Sequence, residues 1–498
     1  MFFKLINASA AMEKLPTTLY QTAQVREFDR RAIQDLNIPG IDLMGRAGYA
    51  VFQCLRTQWP QAKSIAVFCG SGNNAGDGYI VADLALKAGL SVIVYSLVNL
   101  EKLTGDALIA YQRYRKAKGV VIPFQGKSLS GNDVIVDALL GSGLNRAVTG
   151  IYALAMSVIN QASARVIAVD NPSGLNTDTG TAMGYAIKAD TTVTFIALKQ
   201  GLFTGQSADY CGEIVYASLG LPEAVFKDVL PTAVRVVKSV LLRRERCAHK
   251  GHYGHVLIIG GDHGYSGAAR LAGEAALRVG AGLVSIATRI EHAGLMNINR
   301  PELMCHGVTG SEQLAVLLDK ASVVVVGPGL GQSAWAKTLF LQALAVKKPL
   351  LIDADGLNLL AQFPQTNPNW ILTPHPGEAA RLLGCPTTTI QEDRFAAALA
   401  LQVKYQGVIV LKGAGTLICS EEECAVSNSG NPGMASGGMG DVLAGVIAGL
   451  VAQGLFLKNA AQQGVYGHGR AADLAVEQEG ERGLLASDLM PYLRQWVN

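Results

Sequence analysis

Two stretches of the chain set carboxylates among glycines in a way that suits chemistry on phosphorylated ligands. In the first half, Gly70-Ser71-Gly72-Asn73-Asn74-Ala75-Gly76-Asp77-Gly78 brings four glycines, two amides and a carboxylate together. Backbone N–H groups in such a turn, helped by the dipole of a following helix, can cradle a diphosphate. No Gly-Lys-Ser/Thr follows, so the turn is not a P-loop, and its spacing departs from G-x-G-x-x-G. The oxygens of Asn73, Asn74 and Asp77 add donors that suit a hard cation or a ribose. The plainer alternative is an ordinary strand-to-helix turn. Two more aspartates end apolar runs. Asp137 closes 134–136, before Gly141-Ser142-Gly143-Leu144-Asn145-Arg146, and Asp170 closes 166–169, before Pro172-Ser173-Gly174. One such aspartate is as well explained as a helix N-cap. Three polar strand ends in one parallel sheet point instead to a shared crevice. Asp170 is the acid/base candidate there, while Asn74, Asp137 and Ser173 offer oxygens to a monovalent cation.

The second half is denser. Ser436-Gly437-Gly438-Met439-Gly440-Asp441 directly precedes an apolar helical stretch from Val442. Glycines at a helix start present N–H donors to an anion. Asp441, just inside that positive end, is placed to take a proton from a hydroxyl attacking a phosphoryl group, although a capping carboxylate would look the same. Gly445 and Gly449 leave room for close helix packing. Lys412-Gly413-Ala414-Gly415-Thr416 follows the strand 408–411 and suits phosphates or the sugar of a nucleotide. His375 stands between two prolines in Thr373-Pro374-His375-Pro376-Gly377-Glu378, which favours a fixed contact role. Asp353, Asp355 and Glu378 could reach magnesium through water. His249, His252 and His255 recur every third residue, but they lead into a strand where they would not share one face, so they are not read as a metal site.

These residues need a scaffold, and its grammar is legible. Short apolar runs ending in glycine turns alternate with helical patterns such as 80–88. The first set of strands is 64–68, 91–95, 134–137, 165–169 and 191–196; the second is 255–261, 283–287, 322–326, 350–352, 370–372 and 408–411. Runs that are apolar throughout fit strands covered on both faces, so both halves are expected to be α/β with parallel sheets. The pattern breaks around 218–250, where the domain boundary is placed. No repeat of fixed period is present. With 498 residues, 49% hydrophobic and 16% charged, the chain is neither disordered nor a polyelectrolyte. A net charge of +3 without a basic stripe argues against nucleic-acid binding. The eight cysteines are scattered, without C-x-x-C, and are read as buried reduced thiols of a cytoplasmic protein. The apolar start MFFKLINASAAMEKL is broken by Lys4 and Asn7 and is read as an extension, not a signal peptide. The apolar stretch 442–457 is too short and too interrupted to span a bilayer.

GSGNNAGDG, GSGLNR and DNPSG, with Asp29-Arg30-Arg31-Ala32 and Leu43-Met44-Gly45-Arg46-Ala47-Gly48, together resemble the epimerase domain of the bifunctional NAD(P)H-hydrate repair family. Asn171 departs from the aliphatic residue usual beside the aspartate. The resemblance implies a Rossmann-like three-layer domain over 18–220, after an extension 1–17. It implies contacts to hydrated NAD(P)H from Asn73, Asn74, Ala75, Gly76, Asp77, Gly141, Ser142, Gly143, Leu144, Asn145, Arg146, Ala147 and the catalytic Asp170. It also implies potassium at Asn74, Asp137 and Ser173.

HKGHYG, GDHGYSGAARLAG, GPGLG, DADGLN, TPHPGE, KGAGT and GGMGD resemble, in order, the dehydratase domain of the same family, which is ribokinase-like. That implies a three-layer α/β/α domain over 235–498, after a linker 221–234. The implied substrate contacts are Ala268, Gly329, His375 and Asp441. The implied nucleotide contacts are Lys412, Gly413, Ala414, Gly415, Thr416 and Gly440, with Mg2+ and with ADP as phosphoryl donor. The substrates implied are NADHX and NADPHX, the expected assembly is a homo-oligomer, and neither nucleic acid nor membrane is an expected partner. Two other readings stay open on the residues alone. A kinase of a small vitamin-precursor alcohol would release a stable phosphorylated product, and a cofactor-binding scaffold would bind without turnover.

Overall fold

The computed structural model describes residues 13–129, 131–241 and 243–498. Of the expected extension 1–17, residues 1–12 lie outside the described residues, and Glu13 is bridged to Tyr216. The chain divides into two compact units, Met1–Ala233 and Val234–Asn498. Within the stretch expected as a linker, Val225 is buried and the Phe226 ring meets that of Phe28 edge-on at 4.9 Å.

The strands of the first unit are β1 (Thr18–Tyr20), β2 (Ser64–Cys69), β3 (Ser91–Ser96), β4 (Val120–Pro123), β5 (Val134–Ala138), β6 (Arg165–Val169), β7 (Thr191–Phe195), β8 (Leu198–Lys199) and β9 (Glu213–Ala217). Seven of them form a parallel sheet in the order β4-β3-β2-β5-β6-β7-β9, and β1 pairs with β8. Helices cover both faces, which is why β2 and β5 are apolar on both sides. Gly40–Gln58, Asn73–Lys87 and Gly105–Lys116 close one core, and Gly150–Gln161 closes the other. The chain runs from β2 outward to β3 and β4, then returns to β5 on the other side of β2. The strand order therefore reverses between β2 and β5, and a crevice opens at their carboxyl ends. Gly70 sits at that point: a Cβ there would lie 2.1 Å from the carbonyl oxygen of Leu139, so only glycine lets the two loops approach.

The second unit contains β10 (Ala233–Arg235), β11 (His255–Ile259), β12 (Leu283–Thr288), β13 (Met304–Gly307), β14 (Val323–Val326), β15 (Leu350–Ile352), β16 (Trp370–Leu372), β17 (Val408–Leu411), β18 (Thr416–Cys419) and β19 (Cys424–Ser427). Their order is β13-β12-β11-β14-β15-β16-β17-β18-β19-β10. The sheet is parallel as far as β17, antiparallel from β17 to β19, and parallel again where β10 joins β19. Its central helix, Met439–Ala452, is buried along nearly its whole length. That helix lies so close to Ser266–Arg278 that a Cβ on Gly445 would stand 2.0 Å from the carbonyl oxygen of Ala272. At Gly449 the corresponding distance to the Ala276 carbonyl oxygen is 2.8 Å.

The expected strands all form, as β2, β3, β5, β6 and β7 and as β11, β12, β14, β15, β16 and β17. The additional strands are short and mostly peripheral, and the β18–β19 hairpin follows the glycine turn that hid it. On that hairpin Cys419 and Cys424 stand directly opposite each other, with Cα atoms 4.1 Å apart; Cys54, Cys69 and Cys211 are buried thiols, whereas Cys247 is exposed, contrary to the expectation of burial. Among the described residues no helix is long and apolar enough to cross a membrane.

Candidate active sites

In the first unit the helix begins at Asn73, so the glycine-rich segment is half turn and half helix. Asn74 and Asp77 are three residues apart and share a helix face. Both line a cavity of about 610 Å3 at the crevice. Asn73, Gly141, Ser142, Gly143, Leu144, Asn145, Arg146 and Asp170 line it as well. Ala75 and Gly76 turn into the protein instead: Ala75 is fully buried, and a Cβ on Gly76 would meet the Met44 sulfur at 2.5 Å. Ala147 is exposed and does not line the cavity.

Asp137 is fully buried, its carboxylate accepting from the Ser173 hydroxyl at 2.6 Å and from the Ser173 N–H at 2.7 Å. Burial pushes its pKa up to about 6 against those hydrogen bonds. The Ser173 hydroxyl also stands 3.1 Å from the Leu140 carbonyl oxygen, and Gly141 borders the Asn74 side chain, so the three cation candidates surround one loop. Both polar atoms of the buried Asn74 amide lack a hydrogen-bond partner. A buried amide left unmatched in this way is costly without a ligand, and the oxygen-rich surroundings fit a monovalent cation.

Asp170 adopts φ of +67°, a left-handed conformation rare outside glycine and often held at functional sites. Its carboxylate pairs with the ammonium of Lys199, which is 1% exposed and also donates to the Thr194 hydroxyl at 3.0 Å and the Phe195 carbonyl at 3.2 Å. Lys199 and Asp29 line the same cavity, and neither was singled out from the sequence as a site residue. A signal existed for Lys199: a lone charge inside the apolar run 195–203 needs a buried partner. Asp29 gave none beyond its place beside the buried Phe28. Burial, and next the nearby Asp170, raise the pKa values of Asp29 and Asp77, Asp77 most strongly.

In the second unit the carboxyl ends of β14 to β17 meet the start of Met439–Ala452. Asp353, which follows β15, accepts from the Lys412 ammonium at 2.8 Å and from the Thr373 hydroxyl at 2.8 Å. Glu378 lies 3.8 Å from the same ammonium. A Cβ on Gly440 would stand 3.4 Å from Lys412 Nζ and 3.8 Å from Asp353 Oδ2, so the helix start closes over this pair. Asp441 is part of the cluster. Burial and the neighbouring Asp353 push it up to about 7, with Lys412 acting in the opposite direction. Glu378 is likewise pushed up to about 7 by burial. Burial would lower Lys412, but Asp353 and Glu378 outweigh it and raise it.

His375 caps the helix Pro376–Leu383. Its Nδ1 accepts from the N–H groups of Gly377 and Glu378 at 3.0 and 3.3 Å, while Glu378 accepts from the His375 N–H at 2.8 Å. Desolvation, then Lys412 and Arg381, lowers its pKa and favours the neutral ring, which with Nδ1 accepting carries its proton on Nε2. Gly329 and Ala268 are brought together: a Cβ on Gly329, where φ is +57°, would lie 3.1 Å from that of Ala268. The same loop reaches the cluster through the Gly331 N–H, 2.9 Å from Asp355. Gly413 and Ala414 are exposed, and Thr416 donates to the Gly413 carbonyl at 2.9 Å. His249 and His252 bring their rings together, with centroids 3.9 Å apart, but His255 meets Ser285 at 2.9 Å instead, so the three do not form one site.

Residues 40–201 match the family described as YjeF-related protein N-terminus, and residues 256–495 match the one described as NAD(P)H-hydrate dehydratase. The bifunctional NAD(P)H-hydrate repair enzyme Nnr of Coxiella burnetii is 52% identical, over 97% of this chain and 100% of its own length. The Escherichia coli protein of the same name is 43% identical, over 97% of this chain and 95% of its own. Among solved structures, the Bacillus subtilis ADP/ATP-dependent NAD(P)H-hydrate dehydratase is 32% identical and covers 52% of this chain and 93% of its own, with a TM-score of 0.47. Carrying both domains over nearly the full length of such relatives, the chain belongs to the family of bifunctional NAD(P)H-hydrate repair enzymes.

Proposed function

We propose that the chain repairs hydrated NADH and NADPH in two steps. The first unit interconverts the R and S forms, and the second dehydrates the S form at the expense of ADP, giving AMP and phosphate. The observation that carries the reading is Asp441, desolvated among Asp353, Asp355, Glu378 and Lys412 at the start of a glycine-led helix. Hydrated NAD(P)H bears a hydroxyl at C6 of the nicotinamide ring, and hydroxide is a poor leaving group. Asp441 takes the C6 hydroxyl proton, and the oxygen attacks the terminal phosphoryl group of ADP as AMP departs. The ring nitrogen lone pair then expels phosphate, and loss of the C5 proton restores the reduced ring. The N–H groups at Gly437 to Gly440 face the charge that develops on the phosphoryl oxygens.

Ala268, Gly329 and His375 hold the hydrated nicotinamide ring of the substrate, and Lys412, Gly413, Ala414, Gly415, Thr416 and Gly440 serve the nucleotide. Asp353, Asp355 and Glu378 are hard-oxygen donors that suit Mg2+, which when bound would neutralise nucleotide phosphates. Among the described residues no three His, Cys, Asp or Glu side chains are set to hold a metal directly. In the first unit, Asp170 moves a proton at the substrate, and Asn73 to Asp77 with Gly141 to Ala147 hold the hydrated cofactor. Asn74, Asp137 and Ser173 suit K+, whose charge would steady the bound substrate. A cytoplasmic, homo-oligomeric enzyme completes the reading; cell fractionation and light scattering test those two points.

The activity test mixes the protein with hydrated NADH, as both epimers, and ADP. Recovery of all the reduced-nicotinamide absorbance together with free phosphate supports both steps. Recovery that stops at the share of one epimer removes the epimerase, and a stable phosphorylated product would make the second unit a kinase.

A further inference from the structure

The cavity of the first unit holds more carboxylates than the proposed epimerisation has used. Asp29, Asp77 and Asp170 all line it, together with Asp106, and the cations lining it are Lys199, Arg26 and Arg146. The buried ammonium of Lys199 is committed to Asp170. Arg26 reaches over Gly143, on the loop 141–146 that bears Arg146. Among the described residues Asp29 has no ion-pair partner, yet it is largely buried and interacts electrostatically with both Asp170 and Lys199. It comes from the helix Thr22–Arg30, whereas Asp170 comes from the end of β6. Two carboxyl groups on different elements therefore face one space, one paired with a cation and one not. Inverting a carbon needs such a division: one group gives a proton on one face while another receives a proton on the opposite face.

We propose that Asp29 is a second catalytic carboxyl of the first unit, the proton donor that releases the C6 hydroxyl as water while Asp170 receives the proton of the water that returns. In the forward step the Asp29 proton passes to the C6 hydroxyl oxygen, the C6–O bond breaks, and the N1 lone pair forms an N1=C6 double bond. Solvent water then adds to C6 on the other face, the double-bond electrons return to N1, and the surplus proton of that water passes to Asp170. One water leaves, one enters, and the proton count is unchanged. Once its proton has left, the Asp29 carboxylate faces the cationic ring between the two events. The proposal rests on the epimerase reading of this unit.

The test follows the R epimer of hydrated NADH in 18O-labelled water, with the full chain and without ADP. The wild-type protein is expected to incorporate one labelled oxygen at C6 for each epimerisation event above the spontaneous background. Interconversion by the wild type without label overturns the water route. Asp29→Asn is expected to lower the catalysed rate at least 100-fold and Asp29→Glu to keep at least a tenth of it, with an unfolding profile of the full chain like that of the wild type showing that the first unit of each variant is folded. Asp29→Asn within threefold of wild type overturns the assignment. If the wild-type chain does not speed the interconversion at all, it is the epimerase reading that fails.

Discussion

Asp441 must be ionised to accept a proton, and its environment pushes it up to about 7. The dehydration rate is therefore expected to rise with pH through that value and to level off above it, which a pH profile of kcat on the S epimer checks. Asp441→Asn removes the base and should lower that kcat about a thousandfold. The same change has a stability consequence of opposite sign. A carboxyl group whose pKa is raised in the folded state costs stability as pH rises past its unfolded value near 3.8, and costs none while it is protonated in both states. Asp441→Asn should therefore be more stable than wild type at pH 8, by on the order of a few kcal/mol, and close to it at pH 4. Lys199 makes the contrasting case. Lys199→Met leaves Asp170 uncompensated beside Asp29 and Asp77, at a cost of about 3–5 kcal/mol near neutrality. That deficit should shrink as pH falls and the carboxylates take up protons, which denaturant titrations at two pH values would show.

At the scale of elements, the second site depends on how closely two helices approach. Met439–Ala452 carries Asp441, and Ser266–Arg278 carries Ala268. Their contact is made at Gly445, where a methyl group would collide with the Ala272 backbone. Gly445→Ala gains helix propensity but forces the helices apart. It should cost about 1–3 kcal/mol in thermal or chemical unfolding and lower kcat on the S epimer more than it changes the epimerase rate. The role of Gly445 and Gly449 in packing was legible from their spacing, as were the long apolar strands. What stayed hidden were elements without a strong local pattern: the edge strand Val120–Pro123 and the glycine-flanked hairpin β18–β19, which sets Cys419 opposite Cys424. The helix Asn73–Lys87 begins earlier than its apolar periodicity suggests, because its first turn is built from the polar residues that line the cavity.

At the scale of the whole molecule, the proposed function gives each unit its own step, and a mixture of variants tests whether the epimer passes between chains through solution. Asp170→Asn and Asp441→Asn should each fail to recover a mixture of epimers completely, the first at the share of one epimer and the second entirely. An equimolar mixture of the two variants should recover all of it. Reduced-nicotinamide absorbance at completion checks this, and incomplete recovery by the mixture would mean that the epimer must pass within one chain.

The order of motifs, the apolar strands and the glycine turns were readable from the sequence, because each rests on neighbours a few residues away: burial on both faces makes a strand apolar, and a close backbone approach demands glycine. So were Asp170 and Asp441, each standing at the end or start of such an element. The pairing of charges was not. Lys199 meets Asp170 across 29 residues and Lys412 meets Asp353 across 59, and those meetings exist only because strand order places the ends of β6 and β7, and of β15 and β17, around common crevices. Desolvation follows from the same assembly, so tertiary structure alone decides which carboxyl holds a proton and which is free to take one.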